Sequence, residues 1–311
     1  MKAARGGVLA ADLGGTKIAV ARVSPSGRLS GYATAPTPVG AAAVVARLAA
    51  MLAALQARGG AERAAVAVPG LAYANGDVWA PNLPGWRRMP LGRRLQRRLL
   101  LPVRVESDRN AFIAGEVWRG AARGATDAIL VAVGTGIGAG IWSGGRLLRG
   151  HAELAGAIGW MALRPEYRPA YRGCGGLEFH AAGPGLARAA TAQFGAPLAA
   201  TDLARRARAG DLAARRLLRQ AGEELGRALA NLVSILNPEI IVLSGGVATA
   251  GPWLFAPARR ELRRWAQPLA ARQVRLVRSR LGPHAALLGV ARLAQTPGPE
   301  AGGTAPGKRS L

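Results

Sequence analysis

The stretch VLAADLGGTKIAVARV (residues 8–23) decides the fold of this chain. A short apolar run ends at Asp12, two glycines follow, and the apolar pattern resumes at Ile18. This pattern predicts two strands joined by a tight glycine turn, because glycine lets the backbone N–H groups approach an anion closely. A capped hairpin without a ligand is the alternative interpretation. The donors of this candidate phosphate-binding loop would be Gly14, Gly15, Thr16 and Lys17.

A second glycine-rich stretch, GTGIG, lies between the predicted strands 128–133 and 139–143. Its glycines resemble a dinucleotide-binding fingerprint, but that motif requires a helix to begin at its third glycine. The residues after this loop have a strand pattern instead, and no Gly-Lys-Ser/Thr ending is present. Two glycine hairpins can hold a triphosphate from both sides. The candidate phosphate ligands here are Gly134, Thr135, Gly136 and Gly138.

A third motif, SDRN (107–110), follows the predicted strand 103–106 and begins a helix that runs to Arg119. A carboxylate at the carboxyl edge of a parallel strand faces the crevice in which α/β proteins bind ligands. Asp108 could there accept the proton of an attacking hydroxyl group. The alternative is that Asp108 only caps the helix.

The order strand, glycine turn, strand, helix, strand occurs twice along the chain, which predicts an α/β protein of two lobes with a cleft between them. We expect residues 1–108 to form an N-terminal lobe and residues 109–282 a C-terminal lobe. The closing helix 283–295 is expected to pack back on the first lobe. The Pro/Gly-rich residues 296–311 are expected to be disordered.

Composition excludes several classes of protein. The 311 residues include 42 Lys+Arg against 17 Asp+Glu, but the arginines are scattered in pairs along predicted helices, which favours solvated faces over a specific nucleic-acid site. No apolar run is long enough for a membrane span, and the residues before Asp12 are too few for a signal peptide, so we expect a cytoplasmic protein. The single Cys174 fits that location and excludes an intrachain disulfide.

The three motifs, in this order, resemble the ROK family of bacterial sugar kinases and repressors, which has the actin/hexokinase-like (ribonuclease H-like) ATPase fold. The resemblance extends over most of residues 7–295. Segment 82–86 (NLPGW) is similar to the sugar-binding loop of the family, and 237–246 (NPEIIVLSGG) to the strand and double glycine beside the adenosine. Segments 155–156 and 177–183 lie where the family signature lies.

The resemblance implies ATP-dependent phosphorylation of a hexose hydroxyl, glucokinase-like and at the 6-hydroxyl, with Asp108 as the general base. Asp12 would hold Mg²⁺ through water, and the two hairpins would hold the phosphates. The adenosine would lie beside Gly245 and Gly246. The resemblance also implies a homodimer. The residues that it places at the sugar are Gly70, Asn82, Ser107 and Glu178.

The chain departs from the family pattern on the sugar side. Where the signature has a sugar-binding glutamate and a histidine shared between zinc and sugar, this chain has Ala157 and Trp160, and Ser107 replaces the usual asparagine. Only Cys174 remains of the cysteine cluster, so we expect no structural zinc. Glu153 could replace the missing carboxylate or be a plain loop residue. Trp160 could stack on a sugar or belong to the core.

These departures leave alternatives open. The protein could be a non-catalytic sugar sensor, or a kinase for another hexose or an N-acetylhexosamine. Repression through a helix-turn-helix is not expected, because the phosphate loop begins at Asp12. The net charge of +25 also raises inorganic polyphosphate as an alternative to ATP as phosphoryl donor.

Overall fold

In the computed structural model, which describes residues 6–296, the quoted stretch forms the central hairpin of a five-stranded sheet. The first strand pairs antiparallel with the second and parallel with the fourth, in the order β3-β2-β1-β4-β7. A short hairpin of β5 (Leu71–Ala72) and β6 (Val78–Trp79) is separate. The strands of the sheet are β1 (Val8–Leu13), β2 (Lys17–Val23), β3 (Leu29–Pro36), β4 (Arg63–Val68) and β7 (Val103–Ser107).

A second five-stranded sheet repeats the same design in the order β10-β9-β8-β11-β12. Its first two pairings are antiparallel, and β8, β11 and β12 are parallel. The two sheets therefore have the same strand order and directions although their sequences are not repeats. The strands are β8 (Ala128–Val133), β9 (Ile137–Ser143), β10 (Arg146–Leu147), β11 (Ile240–Ser244) and β12 (Arg275–Arg278).

Ten α-helices within the described residues cover the sheets. Their bounds are α1 (Ala41–Ala57), α2 (Leu91–Leu99), α3 (Asp108–Arg119), α4 (Gly176–Ala181), α5 (Gly183–Phe194), α6 (Ala200–Arg208), α7 (Leu212–Leu236), α8 (Pro252–Trp265), α9 (Pro268–Gln273) and α10 (Ala285–Gln295). Apolar side chains of α1 and α2 bury one face of the first sheet, and α4 to α9 bury one face of the second. No helix among residues 6–296 has the length and apolar character to cross a bilayer.

Helix α3 connects the two sheets. Its Ala111 belongs to the core formed by α10 and the first sheet, whereas its Ile113 belongs to the core of the second sheet. Glycines let α3 and α10 cross in backbone contact: a Cβ at Gly289 would lie 1.6 Å from the Ala111 carbonyl oxygen, and one at Gly115 would lie 2.4 Å from that of Ala285. The helix that begins with Asp108 is therefore held by both halves of the molecule.

Two details of the sequence interpretation were wrong. Gly138 does not lie in a loop but within β9, where it pairs with Ala132. Asp108 is not the N-cap of its helix: Ser107 has that place, and Asp108 is the first helical residue. Of the predicted tail 296–311, residues 297–311 lie outside the described residues.

Candidate active site

The carboxyl edge of the first sheet gathers the predicted catalytic groups. Because β1, β4 and β7 are parallel, their carboxyl ends meet at one edge. Asp12 is level with Ala67 near the end of β1, and Ala67 is level with Glu106 on β7. Asp108 follows the end of β7 directly. Both aspartates therefore lie at the same edge, two strands apart.

Burial changes the acidity of both carboxyl groups, and repulsion by Asp108 adds to its effect on Asp12. Loss of water around Asp12 raises its pKa to about 7, and the neighbouring Asp108 charge adds to the rise, while Lys17 opposes it. Burial likewise raises the pKa of Asp108 to about 6, opposed by Arg109 and by hydrogen bonds from the Arg109 backbone and Ser107. The two carboxyl groups are therefore close enough for the charge on Asp108 to affect the protonation of Asp12.

The first hairpin turn leaves its donors open to solvent. Gly15, Thr16 and Lys17 are exposed, and nothing lies within 4 Å of the position that a Cβ on Gly15 would occupy. The turn is closed by a hydrogen bond of 2.9 Å from Gly14 N–H to the Lys17 carbonyl oxygen, and the Thr37 hydroxyl donates to the Gly14 carbonyl oxygen over 2.8 Å. This turn is held by its own backbone and one threonine, with room for an anion beside it.

The second hairpin turn is supported by side chains instead. Gly134 N–H donates to the Gly136 carbonyl oxygen over 2.9 Å, which closes the turn. The Glu178 carboxylate accepts a hydrogen bond of 2.6 Å from Ile137 N–H, and a Cβ at Gly136 would lie 2.8 Å from its Oε2. Burial raises the pKa of Glu178, and this hydrogen bond opposes the rise. The carboxylate therefore fixes the shape of this turn.

A cavity of about 630 Å³ opens beside the second hairpin. Three predicted nucleotide-binding residues line it: Gly134, Thr135 and Gly246. Its volume falls in the range of small-molecule sites. Gly245 does not line the cavity. Its φ is +90°, and a Cβ at this position would lie 2.4 Å from the Val133 carbonyl oxygen, so glycine is needed for the close backbone contact between the ends of β11 and β8. Helix residues that the sequence analysis missed complete the wall, namely Gly183, Pro184, Ala187, Ala200 and Thr201.

The predicted sugar-side residues do not form one cluster of free polar groups. Asn82 is exposed in a turn that the buried Trp86 anchors, and Ser107 is buried. Gly70 has a φ of +149°, and a Cβ there would lie 2.2 Å from the Trp79 carbonyl oxygen, so its place is set by close backbone packing. The Glu178 carboxylate is bonded to the second hairpin. A sugar contact by these four residues stays a prediction.

The segment that departs from the family pattern forms short turns of 3₁₀-helix. Ala157 precedes one of them (Ile158–Trp160), and Trp160 is 57% exposed, so the Trp160 side chain is not a core residue. The Glu153 carboxylate is bound by the Arg149 guanidinium over 2.7 Å. Cys174 is a free thiol, and between residues 6 and 296 no group of three His, Cys, Asp or Glu side chains is placed to hold a metal ion.

A buried charge network behind Asp108 was missed by the sequence analysis. Glu106 is 1% exposed. Its carboxylate accepts two hydrogen bonds from the Arg149 guanidinium, of 2.5 and 3.1 Å, one of 2.9 Å from Asn110 Nδ2 and one of 3.2 Å from Ser107 N–H. Arg104 lies at 3.5 Å. The network joins helix α3 and the end of β7 to the 149–153 segment. The sequence contained one indication of this network, which was the acidic residue Glu106 within the predicted strand 103–106.

The chemistry of the Asp12 site fits Mg²⁺. Hard oxygen ligands are what this ion prefers, and it commonly uses one or two carboxylates together with waters and substrate phosphates. Burial is the main cause of the raised pKa of Asp12, and repulsion by the Asp108 carboxylate adds to it, although Lys17 opposes the rise. A divalent ion near Asp12 would relieve that repulsion. When bound, it would neutralise charge on the phosphates.

Comparison with known proteins identifies the family. The ROK family model matches residues 8–297. A glucokinase of Thermotoga maritima is 32% identical over 307 residues, covering 91% of this chain and 96% of that protein. An N-acetylmannosamine kinase of Shigella flexneri is 33% identical over 296 residues, covering 93% and 98%.

A solved structure agrees with these relatives. The ROK family glucokinase from Streptomyces griseus, in complex with glucose and AMPPNP, superposes with a TM-score of 0.79 at 31% identity and covers 93% of this chain and 99% of that one. The likeness confirms the predicted two-lobed, actin-like ATPase fold. On the family model and these likenesses together, the chain belongs to the ROK family.

Proposed function

We propose that the protein is an ATP-dependent sugar kinase in which Asp108 is the general base for a hexose hydroxyl. One observation carries this proposal: Asp108 is close enough to Asp12 at the end of β1 to raise the pKa of that carboxyl group, and it directly precedes Arg109, whose side chain packs on Gly138 of β9. Relatives named glucokinase and N-acetylmannosamine kinase, and a related glucokinase solved with glucose and AMPPNP, support the same reaction class.

Each part of the site has a task in phosphoryl transfer, which needs positioning and charge stabilisation more than covalent chemistry. The Asp108 carboxylate would accept the hydroxyl proton as that oxygen attacks the terminal phosphorus of ATP. Asp12 would hold Mg²⁺, the backbone N–H groups of both hairpins would bind phosphates, and the cavity beside Gly134 and Gly246 would hold the adenosine. Proton transfer to Asp108 requires its ionised form.

The substrate class is a hexose or an N-acetylhexosamine, with the 6-hydroxyl of glucose as the first candidate. Relatives of similar identity are named for both classes of sugar. Ala157 cannot make the hydrogen bond of a carboxylate, and an aromatic ring at Trp160 can stack on a sugar face. These two residues favour a sugar preference that differs from that of glucokinases.

A coupled assay of ADP release across glucose, mannose, N-acetylglucosamine and N-acetylmannosamine tests the proposal. We expect turnover with at least one sugar, and we expect Asp108→Ala to lower kcat by about 10³-fold, because general base catalysis contributes roughly 10²- to 10⁴-fold. Polyphosphate in place of ATP tests the donor. The matched control is Glu62→Ala, at an exposed acid just before β4.

A non-catalytic sugar sensor is the second candidate, favoured by Ala157 and Trp160 alone. It predicts measurable sugar binding by calorimetry together with no ADP release for any sugar and either donor. That combination of results would contradict the kinase proposal, whereas turnover that survives Asp108→Ala unchanged would contradict the assignment of the base.

A further inference from the structure

Arg109 is a cation in the candidate active site that the family resemblance does not explain. It follows Asp108 in the first turn of α3 and is half-buried. A Cβ at Gly138 would lie 2.5 Å from Arg109 Cδ and 3.5 Å from its Nη1. The aliphatic part of the side chain therefore packs on the strand of the second hairpin, and the guanidinium lies next to that strand.

The Arg109 guanidinium has few protein partners. Its single hydrogen bond within the described part of the chain is from Nε to the Ser107 hydroxyl, at the long distance of 3.5 Å. Arg104 and Arg149, which are also half-buried, both form ion pairs with Glu106. No such ion pair to Arg109 occurs among residues 6–296. Most of its N–H donors are thus available to a ligand.

This cation is close to two parts of the proposed site. It follows the proposed base, Asp108, and opposes the rise in the pKa of that carboxyl group, and its side chain lies against Gly138 of β9, the strand that follows the second glycine hairpin. An arginine fork binds phosphate oxygens with two parallel hydrogen bonds, and cations placed beside a transferring phosphoryl group stabilise its transition state. Lys17 is the corresponding cation at the first hairpin, where it lies close enough to oppose the rise in the pKa of Asp12.

We infer that Arg109 is a further catalytic residue, whose guanidinium binds the terminal phosphoryl group of the nucleotide during its transfer to the sugar. The inference rests on the proposed kinase function. The phosphorus–oxygen bond to the sugar forms as the bond to ADP breaks, and the hydroxyl proton goes to Asp108. Arg109 exchanges no proton in this step; it holds two equatorial oxygens of the phosphoryl group.

Two substitutions separate this role from simple packing. Arg109→Met keeps the aliphatic stem against Gly138 but removes the charge, and Arg109→Lys keeps the charge without the fork. We expect Arg109→Met to lower kcat by about 10²-fold or more and Arg109→Lys to restore part of the loss. Arg98→Met, at an exposed arginine on α2, is the matched control and should leave kcat unchanged.

Nucleotide binding gives a readout that does not depend on turnover. Calorimetric titration with Mg-AMPPNP and with Mg-ADP compares a ligand that has the terminal phosphate with one that lacks it. We expect Arg109→Met to weaken AMPPNP by about tenfold, as the loss of a charged hydrogen bond does, and to leave ADP within about twofold.

The outcomes distinguish this inference from the proposed function. If Arg109→Met keeps kcat within about twofold, or weakens both nucleotides equally with a lower Tm, Arg109 has a packing role and the inference is wrong. If the wild-type protein binds AMPPNP but phosphorylates no sugar, the kinase proposal is wrong, and the difference between AMPPNP and ADP still tests the phosphate contact. A wild-type protein that binds neither nucleotide overturns both.

Discussion

The nucleotide side and the sugar side of this site differ in how their polar groups are used. On the nucleotide side, the first hairpin has exposed donors and the second lines a cavity of about 630 Å³. On the sugar side, the carboxylates of Glu178 and Glu153 are already bonded to Ile137 N–H and Arg149. Under the proposed function, this difference means that the groups for phosphoryl transfer are free to bind a ligand, whereas the two glutamates stabilise the protein itself. Sugar recognition is then the part of the site that we expect to have changed.

The largest effect is expected where the two sides are joined, at the buried network around Glu106. Arg149→Met would remove two hydrogen bonds to a carboxylate that is 1% exposed. Breaking a buried ion pair in this way costs about 3 kcal/mol, because the remaining charge is left poorly compensated. We expect a free energy of unfolding in urea that is lower by about that amount.

Two variants test whether the stabilising effect of Arg149 comes from its ion pair with Glu106 and not from the one with Glu153. Glu153→Gln removes the charge of the second partner of Arg149, which is less buried, and should cost about 1 kcal/mol or less. Arg98→Met should change stability by less than about 0.5 kcal/mol. Equal effects of Arg149→Met and Glu153→Gln would show that the network does not depend on Glu106.

The next effect concerns the dependence of activity on pH. Burial raises the pKa of Asp108 to about 6, and only the ionised carboxylate accepts a proton. Activity should therefore be complete at higher pH and fall about tenfold per pH unit below about pH 6, instead of below about pH 4 as for an ordinary aspartate. The measurement is kcat/KM for the sugar against pH, which reports the pKa values of the free enzyme, with stability followed in parallel. A profile that stays flat down to pH 4.5 would contradict the raised pKa.

Substitutions of Glu178 test whether this residue supports nucleotide binding or sugar binding. Glu178→Ala removes the acceptor for Ile137 N–H and frees the second hairpin, so we expect nucleotide affinity to fall about tenfold. Glu178→Gln keeps an acceptor oxygen and should stay within about threefold of wild type. The family resemblance predicts instead that both variants raise the KM for sugar. Separate titrations with nucleotide and sugar show which side Glu178 serves.

The sequence predicted the fold well because local patterns encode it. Short apolar runs and glycine turns predicted both hairpins, and the helix predicted from Asp108 to Arg119 has those bounds in the structure. The helices between 176 and 208 and between 252 and 273 were not delimited, since alanine- and arginine-rich stretches carry little periodic contrast. Gly138 was misplaced because a strand pairing with Ala132 is not visible in a local glycine pattern.

The site was less predictable than the fold, since it depends on contacts between distant residues. Glu106 and Arg149 are 43 residues apart, and nothing in one sequence shows that they pair. The hydrogen bond from Ile137 N–H to Glu178 joins residues that are 41 positions apart, and through it Glu178 stabilises the second hairpin turn. Residue types and order can indicate phosphate loops and a base, but they do not show which polar groups are already satisfied by the protein.

The smallest expected effect would restore what the sugar side lacks. Ala157→Glu places a carboxylate at the half-buried residue that begins the turn to Trp160. A charged group that hydrogen-bonds a sugar hydroxyl contributes about 1.5–3 kcal/mol when well placed, and a newly introduced one less, so we expect the KM for glucose to fall about fivefold with kcat unchanged.

Ala157→Gln, which is close in size but uncharged, should give a smaller fall in that KM. If neither variant changes the KM for glucose while N-acetylhexosamines remain the better substrates, the Ala157 position lies away from the sugar. The altered preference would then have to arise from Trp160, because an exposed indole can stack on a sugar face without any carboxylate beside it.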